Sequence, residues 1–397
     1  MARATIVGTG MTRFGKFPDR TVRSLAEEAA RAAMTDAGVT ADDVERVFFG
    51  NAVSGLMTGQ EMIRGQIALR DLGLGPVPVL NVENACASGS SAVHQAVTSI
   101  EAGQSDLVLV VGAEKLTHED KRRSFEAIGT AVDLERLEQL ERDLYGDEPA
   151  AEGDRSFFMD VYADMAKRYM ARSGATEDDF AAVAVKSHDH AAHNPLAQYR
   201  DPVTVEQVLA SRHVSGPLTL LMCSPIGDGA AALLLASEER AAQLGADAVQ
   251  VAASVLVSGL GTEEDPARIG AHQAYDQSGL GPDDVDVVEV HDAAAPAELI
   301  MYEELGLCAP GEGPKLLASG ETRLGGRVPV NPSGGLISKG HPVGATGVAQ
   351  LVELTDQLRG RCEGRQVDGA RVALAENGGG YLGPHPAAVT ITMLRRG

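Results

Sequence analysis

The sequence has few aromatic residues, no tryptophan and few cysteines. Aromatic residues make up 4% of the 397 positions, and the four cysteines lie far apart, without the Cys/Cys or Cys/His spacing of a metal site. The chain also lacks an apolar run of about 18 residues and an apolar core after a basic start, so neither a transmembrane helix nor a signal peptide is predicted. These absences argue against a surface that stacks nucleic-acid bases, against a membrane protein and against a metal site, and they predict a reducing, cytoplasmic location.

Basic residues are scarce as well: 34 of them stand against 56 acidic residues, for a net charge of −22. A surface of that charge repels nucleic acids and anionic membranes. An anionic ligand therefore needs a local basic patch or a helix N-terminus to bind. The length exceeds that of one ordinary core and predicts two domains or two fused halves.

Strand and helix patterns alternate along the chain, which predicts an α/β fold. Residues 4–8 form a short β-branched run, and residues 25–34 have helical character. Residues 106–112 are almost wholly apolar, as in a strand that is buried on both faces. The region of about 114–217 is polar and charged, and we interpret it as an inserted loop domain that can cover a site.

The second half of the sequence repeats the first. With Gly38 aligned on Gly279, an offset of 241 residues, the segment DAGVTADDVERVFFG matches QSGLGPDDVDVVEVH without a gap. A second match places CASGSSAV, from Cys86, over HPVGATGV, from His341, at equivalent helix N-termini where the two side chains can converge. Chance similarity is the alternative, but two stretches agree in the same order. The predicted domains are an N-terminal half over 1–245, with the insertion at about 114–217, and a C-terminal half over 246–397.

Cys86 is the first candidate for chemistry. It lies among small residues directly before a predicted helix. The positive end of the helix dipole favours a thiolate there, and the small neighbours leave room for a substrate. The alternative is a buried cysteine at a tight contact between helix and sheet.

Two histidines lie in loops that suit catalysis. His341 lies in the glycine- and proline-rich segment 331–347, whose backbone N–H groups can face a ligand, and it can take the proton from a thiol. His291 follows the predicted strand 287–290, where ligands of α/β sheets gather, and is a candidate oxyanion donor. The alternatives are a helix N-cap without chemistry for His341 and a solvent-facing loop residue for His291.

Together these residues resemble the thiolase superfamily, most closely its sterol-carrier-protein-type thiolases and its acetyl-CoA acetyltransferase-like members. The resemblance spans nearly the whole chain and is carried by the Cys86 segment, HDAAAPAEL at 291–299, NPSGGLISKGHPVGATG at 331–347 and the glycine turn 378–380. It implies a five-layer αβαβα sandwich of two duplicated halves with an inserted loop domain. It also implies a coenzyme A thioester as substrate, no further cofactor, and a homodimer or dimer of dimers.

The resemblance implies a role for each matching position. Cys86 matches the nucleophile that becomes acylated, and His341 matches the histidine that activates it and helps to bind the thioester oxygen. His291 matches the residue that holds the oxyanion, and the backbone N–H groups of Cys86 and Gly378 match the second oxyanion hole. The predicted substrate contacts are Ser333, Gly334 and Gly344.

The sequence departs from the family at the second catalytic cysteine. Ordinary thiolases have it in a glycine turn near the end, where Glu376 stands here, and the sterol-carrier type has it where Ala293 stands. Enolisation of a second acyl thioester needs a base, and Glu376 can supply it if burial raises its pKa, with His291 and His341 as alternatives. Some superfamily members without this cysteine work beside an OB-fold, zinc-ribbon partner subunit, which makes such a partner an expectation to test here.

Three functions are consistent with this pattern. The first is a thiolase-like acyltransferase that forms or cleaves a carbon–carbon bond next to an acyl-CoA thioester through a Cys86 acyl-enzyme. The second is a retro-aldolase or decarboxylating condensing enzyme on the same fold. The third is a non-catalytic partner-binding subunit, and the joint presence of Cys86, His291 and His341 argues against it.

Overall fold

The computed structural model describes residues 3–146 and 156–397. Its strands are β1 (Ala4–Met11), β2 (Arg46–Gly50), β3 (Val79–Val82), β4 (Leu107–Glu114), β5 (His213–Ser215), β6 (Leu218–Thr219), β7 (Gly229–Ser237), β8 (Val249–Ser258), β9 (Val287–Glu289), β10 (Val372–Gly379) and β11 (Ala388–Arg395). Its α-helices are α1 (Val22–Ala37), α2 (Ser54–Thr58), α3 (Arg64–Ala68), α4 (Ser88–Glu101), α5 (Lys121–Gly129), α6 (Leu137–Tyr145), α7 (Phe157–Ser173), α8 (Glu177–Ala192), α9 (Val205–Leu209), α10 (Glu238–Leu244), α11 (Pro266–Ser278), α12 (Ala295–Glu304), α13 (Gly313–Ala318) and α14 (Thr346–Arg359). Within these two ranges, no helix combines the length and the apolar character needed to cross a bilayer.

One nine-stranded sheet runs through the described chain in the order β3-β2-β4-β7-β1-β8-β11-β10-β9. The two ends of this order mirror each other. At one end β2 pairs in parallel with β3 and β4, and at the other end β9 pairs in parallel with β10. The strands from β4 to β10 in the sheet order pair antiparallel. A parallel bridge between Val288 and Val330 takes the place that β3 has in the first half. The halves join where Thr5 and Ile6 of β1 pair with β8. This topology confirms the predicted duplication.

Helices α4 and α14 pack against each other between the two halves of the sheet and form a central layer. Helix α1 covers the outer face of the N-terminal strands with Leu25 and Ala33, and α11 covers the C-terminal strands. The close approach of α1 to β1 requires glycine, since a Cβ on Gly10 would lie 2.2 Å from the carbonyl oxygen of Ala29. The layers are therefore the αβαβα sandwich that the resemblance implied.

The ends of two helices confirm the first segment of the sequence repeat. Gly38 caps the C-terminus of α1 and Gly279 caps that of α11, and both glycines are left-handed, with φ of 67° and 69°. A left-handed residue at a helix end favours glycine because glycine has no Cβ.

The second segment repeats in a different register from the one that the sequence match predicted. A 3₁₀ turn precedes the central helix of each half, Ala85–Ala87 before α4 and Val343–Ala345 before α14, and both helices have 14 residues. When the two turns are aligned, with an offset of 258 residues from 85 to 343, the residue equivalent to Cys86 in the second half is Gly344. The prediction that Cys86 and His341 are equivalent was therefore wrong, because the ungapped alignment matched similar glycines and not the helix starts.

The chain leaves the sheet between β4 and β7 and forms α5 to α9 and the hairpin β5-β6. This region is the predicted insertion, and residues 147–155 of its acid-rich part lie outside the described residues. Helices α7 and α8 pack on α12 of the C-terminal half, where Tyr169 and Phe180 are buried. The insertion therefore contacts both halves. The predicted boundary at 245/246 falls between α10 and β8.

Candidate active site

Three side chains from separate parts of the sequence converge at the ends of the strands. The Sγ atom of Cys86, a ring nitrogen of His291 and a ring nitrogen of His341 all lie within 4.8 Å of one another. The two imidazole rings meet edge to face, with centroids 5.1 Å apart and planes at 76°. Cys86 lies in the turn before α4, His291 follows β9, and His341 precedes α14. The structure thus brings together the three residues that the sequence singled out.

The Nδ1 atom of His341 lies 2.7 Å from Oγ1 of Thr346, the first residue of α14. That hydroxyl has one proton and donates it to the carbonyl oxygen of Pro342, across 3.1 Å. It therefore accepts a hydrogen bond from Nδ1–H of His341, which leaves Nε2 as the basic nitrogen. Burial, and then the nearby His291 and Lys339, hold the pKa of His341 well below its usual 6.5. His341 is neutral near pH 7 and ready to accept a proton.

The backbone N–H of His291 donates to Oε2 of Glu376, across 2.9 Å. Among the described residues, Nε2 of His291 has no hydrogen-bond partner although it is buried. Burial lowers the pKa of this imidazole to about 4. A neutral ring with one unpartnered nitrogen suits the binding of an oxygen atom, as expected of an oxyanion donor.

The Cys86 turn is strained and its thiol is protonated. Ala85 has a positive φ of 47°, which is uncommon for a residue with a side chain. Burial, and then the nearby Glu114, raise the pKa of the Cys86 thiol to about 12, against the opposite effect of the backbone N–H groups of Cys86 and Gly380. The expected stabilisation of a thiolate by the helix N-terminus is thus outweighed by burial. The thiol needs a base at the moment of reaction.

Glu114, which sequence reasoning missed, organises the loops around Cys86. Its carboxylate ends β4, is fully buried, and accepts hydrogen bonds from Nδ2 of Asn51 and from the backbone N–H groups of Ala52, Val53 and Gly344. Burial raises its pKa to about 7. The available signal was a carboxylate at the end of a wholly apolar strand, where a side chain must be buried.

Glu376 lies on β10 with 3% of its surface exposed and lines the same cavity as the three converging residues. Burial raises the pKa of its carboxyl to about 7, although the hydrogen bond from His291 opposes this. The glycines that follow let β10 approach the turn of Cys86, since a Cβ on Gly379 would lie 2.2 Å from the carbonyl oxygen of Asn84. Gly378 lines the cavity beside Glu376.

The three predicted substrate contacts lie outside the cavity lining. Ser333 is fully buried and donates its hydroxyl proton to Glu289, across 2.8 Å. Gly334 packs against α8, where a Cβ would lie 2.5 Å from Ala191, and the N–H of Gly344 donates to Glu114. Ser333 and Gly334 shape the loop before His341, and Gly344 lies in the turn after it. No contact of the three with the cavity supports a direct role in substrate binding.

A cavity of about 1310 Å³ opens onto the converging residues. The insertion and α12 give it an apolar wall, whose members include Val161, Met165, Leu221, Ile300 and Met301. Lys16, Lys121 and Arg212 also line it, and they form no ion pair with any described residue. Arg172 and Arg268, by contrast, are paired with buried glutamates of α12. The cavity therefore combines an apolar interior with positive charge that a ligand can use.

The same three converging side chains offer a thiol and two imidazoles within reach of a single ion. This cluster qualifies the sequence-based expectation that the chain has no metal site, since that expectation considered only the spacing of residues along the sequence.

Comparison with known proteins gives consistent matches along the chain. The family models "Thiolase, N-terminal domain" and "Thiolase C-terminal domain-like" match residues 4–239 and 245–392. The acetyl-CoA acetyltransferase of Methanothermobacter thermautotrophicus is 40% identical over 96% of this chain and 98% of its own. Benzoylsuccinyl-CoA thiolase subunit BbsB of Thauera aromatica is 38% identical over 94% of each chain, and sterol carrier protein 2 of Bos taurus is 37% identical over 100% of this chain and 72% of its own. Among solved structures, an Ltp2-ChsH2(DUF35) aldolase is 29% identical, with a TM-score of 0.79 over 98% of this chain and 97% of that one.

Proposed function

Because this chain belongs to the thiolase family of acyltransferases, we propose that it forms or cleaves a carbon–carbon bond next to an acyl-CoA thioester through an acyl group on Cys86. The observation that carries the proposal is the convergence of Cys86, His291 and His341 within 4.8 Å in the lining of the cavity. A thiol, a neutral base and a free oxygen-binding nitrogen are the groups that acyl transfer to sulfur requires.

The first half-reaction uses the neutral histidines. Nε2 of His341 takes the thiol proton while the sulfur of Cys86 attacks the thioester carbonyl carbon. The carbonyl oxygen gains negative charge and lies against the ring nitrogen of His291, with the backbone N–H of Cys86 and of Gly378 available to the acyl-enzyme oxygen. The intermediate collapses, the C–S bond to coenzyme A breaks, and the proton held by His341 returns to the leaving thiolate.

The second half-reaction needs a base at the α-carbon of the acceptor thioester. Glu376 lines the cavity, and a carboxyl with a pKa raised to about 7 by burial is well suited to take a carbon-bound proton near neutral pH. The resulting carbanion attacks the carbonyl carbon of the acyl group on Cys86. The C–S bond to Cys86 breaks, and the proton held by Glu376 returns to the Cys86 thiolate. In the reverse direction, the thiolate of coenzyme A receives the acyl group after cleavage.

The test is the acyl-enzyme itself. Exposure to short acyl-CoAs should add one acyl mass to the chain, and peptide mapping should locate it on Cys86. Cys308, which is a partly exposed thiol outside the cavity lining, serves as the internal control. An acyl mass found on no cysteine, or equally on Cys308, would remove the proposal.

A retro-aldolase is the second candidate function. It is favoured by the absence of a second catalytic cysteine, with Glu376 and Ala293 at its two family positions, and by the similarity to an aldolase structure. Such a reaction cleaves a β-hydroxyacyl thioester and needs no acyl-enzyme. Product formation from a β-hydroxyacyl-CoA by a Cys86→Ala variant would favour this candidate over the first.

We propose an acyl-CoA as substrate. Its phosphates can bind Lys16, Lys121 and Arg212, which have no ion-pair partner in the part of the chain that the structure describes, despite the net charge of −22. The proposal also includes an acetyl-CoA acetyltransferase-like activity and a reducing cytoplasm, which suits the free thiols. The relative from Thauera aromatica is named as a subunit, and the similar aldolase structure is named with two components, Ltp2 and ChsH2(DUF35). The proposed assembly is therefore a homodimer that also binds a partner subunit of the OB-fold and zinc-ribbon kind. Sedimentation of the purified chain at micromolar concentration tests the homodimer, and a monomer would contradict it.

A further inference from the structure

We propose that Cys86, His291 and His341 form a reversible zinc site that blocks the nucleophile when no substrate is bound. The inference goes beyond the proposed acyl transfer and does not depend on it, because ion binding requires only the geometry of the three side chains. The cluster is the one group of histidine, cysteine or acidic side chains with metal-binding spacing among the described residues.

The distances suit a tetrahedral ion. The three ligand atoms lie within 4.8 Å of one another, and tetrahedral zinc with one sulfur and two nitrogen ligands separates its ligand atoms by about 3.3–3.6 Å. Small side-chain rotations, of about 1 Å or less at the ligand atoms, therefore close the site. Such movement is open to the side chain of Cys86, because it lines a cavity of about 1310 Å³.

The surroundings orient both histidines for an ion. His341 has its Nδ1 atom bonded to the Thr346 hydroxyl, which directs Nε2 into the site, and such an outer hydrogen bond is a regular feature of histidine ligands. Nε2 of His291 is buried and unpartnered within the described chain, so it loses no hydrogen bond on binding an ion. Among the residues that the structure describes, neither Nε2 has a protein hydrogen bond to give up.

The donor set selects zinc among common divalent ions. One thiolate and two imidazoles are borderline-soft ligands, which calcium and magnesium avoid and zinc accepts. Three protein ligands leave a fourth position open towards the cavity, where water completes the tetrahedron. On binding, the Cys86 S–H bond breaks, a Zn–S bond forms and the thiol proton passes to solvent, with no change of oxidation state. Neutral His291 then carries its proton on Nδ1, so that the lone pair of Nε2 faces the ion.

Protection of Cys86 from alkylation tests the site without any acyl-CoA. The purified chain is treated with iodoacetamide in the presence and absence of zinc, and mass spectrometry follows Cys86 and Cys308 separately. At a zinc concentration ten times the dissociation constant, Cys86 should react about 10-fold more slowly, while Cys308 reacts at its usual rate. Equal alkylation of Cys86 with and without saturating micromolar zinc would overturn the proposal.

Binding of cobalt, as a spectroscopic substitute for zinc, identifies the ligands. Thiolate-to-cobalt charge-transfer absorption should appear in the native chain, be displaced by zinc, and be absent from Cys86→Ala. His291→Gln and His341→Gln should each weaken cobalt binding about 10- to 100-fold. If either histidine variant fails to fold, the alkylation experiment on the native chain still decides. Cobalt absorption of full strength in both histidine variants would show an ion held elsewhere and would overturn the proposal.

Discussion

The backbone N–H of His291 donates to the carboxylate of Glu376 across 2.9 Å, so β10 and the loop after β9 are joined at the candidate active site. The bond directs one carboxylate oxygen of Glu376 to the His291 backbone. The same bond holds the backbone of His291, whose ring lies 5.1 Å from the ring of His341, measured between centroids. The proposed oxyanion donor of the first half-reaction and the proposed base of the second are therefore positioned by one contact.

Replacing the nucleophile should abolish acyl transfer without unfolding the chain. Cys86→Ala removes one sulfur atom that lines an open cavity, so the melting temperature should change little. The rate of acyl transfer should fall by at least about 10³-fold, the scale of losing a covalent nucleophile. Cys308→Ala is the matched control and should retain full activity. A Cys86→Ala enzyme that still transfers acyl groups at a tenth of the native rate would contradict the covalent mechanism.

Glu376→Gln should separate the two half-reactions. Acylation of Cys86 should proceed at close to the native rate, because His341 is the proposed base for that step. The second step should slow by about 10²-fold, the usual scale for a lost general base. Rapid-quench mass spectrometry of the acyl-enzyme measures both steps. If the acyl-enzyme forms and decays at native rates, the α-proton is removed by another group.

The two half-reactions should differ in their dependence on pH. A general base must be deprotonated, so the second step should rise with pH through about 7, where burial places the pKa of Glu376. Acylation should be nearly constant from pH 6 to 8, since the pKa of His341 is held well below 6.5 by burial and the thiol pKa is raised to about 12. Single-turnover rates across this range check both statements. A second step that is flat from pH 6 to 8 would exclude Glu376.

The hydroxyl of Thr346 should matter through His341. Thr346→Val removes the acceptor of Nδ1–H, so the ring loses its fixed tautomer and orientation. Acylation of Cys86 should slow at least about 10-fold, as for other partners of catalytic histidines. Thr355→Val, on the same helix, is the matched control, because Oγ1 of Thr355 is buried without a described partner. Equal effects of the two variants would assign the loss to packing.

Glu114 should make stability depend on pH. Burial raises the pKa of its folded-state carboxyl from 4.5 to about 7, so its neutral form contributes stability that is present below 4.5 and is lost as pH rises through about 7. The loss is about 3 kcal/mol for this fully buried group. In Glu114→Gln the free energy of unfolding should fall less as pH rises from 4.5 to 7. Urea unfolding of both proteins at a series of pH values measures this difference. Parallel pH profiles for the two proteins would contradict the assignment.

The sequence predicted the parts of the site that lie in motifs. Cys86, His341 and His291 stand in segments whose glycines and prolines specify loops, and the structure brings their side chains together. The duplication could be recognised in the sequence because Gly38 and Gly279 are equivalent left-handed residues that cap a helix in each half.

The remaining features depend on contacts between distant residues. Glu114 resembles any other glutamate until β4 buries it against the loop before α14. Ser333 lies in a motif and was expected to contact the substrate, yet its hydroxyl donates a hydrogen bond to the buried carboxylate of Glu289. The register of the second repeat also needed the helix starts, which ungapped matching of small residues does not determine.

The division of the candidate site between the two halves of the chain has a consequence for biosynthesis. The proposed nucleophile, Cys86, belongs to the first half, whereas His291, His341 and Glu376 all belong to the second, and β10 is among the last strands to be made. A nascent chain that has folded only its first half holds Cys86 with neither histidine to activate it. On the proposed mechanism the thiol gains its base only after synthesis is nearly finished, and a product truncated before His291 should not acylate Cys86.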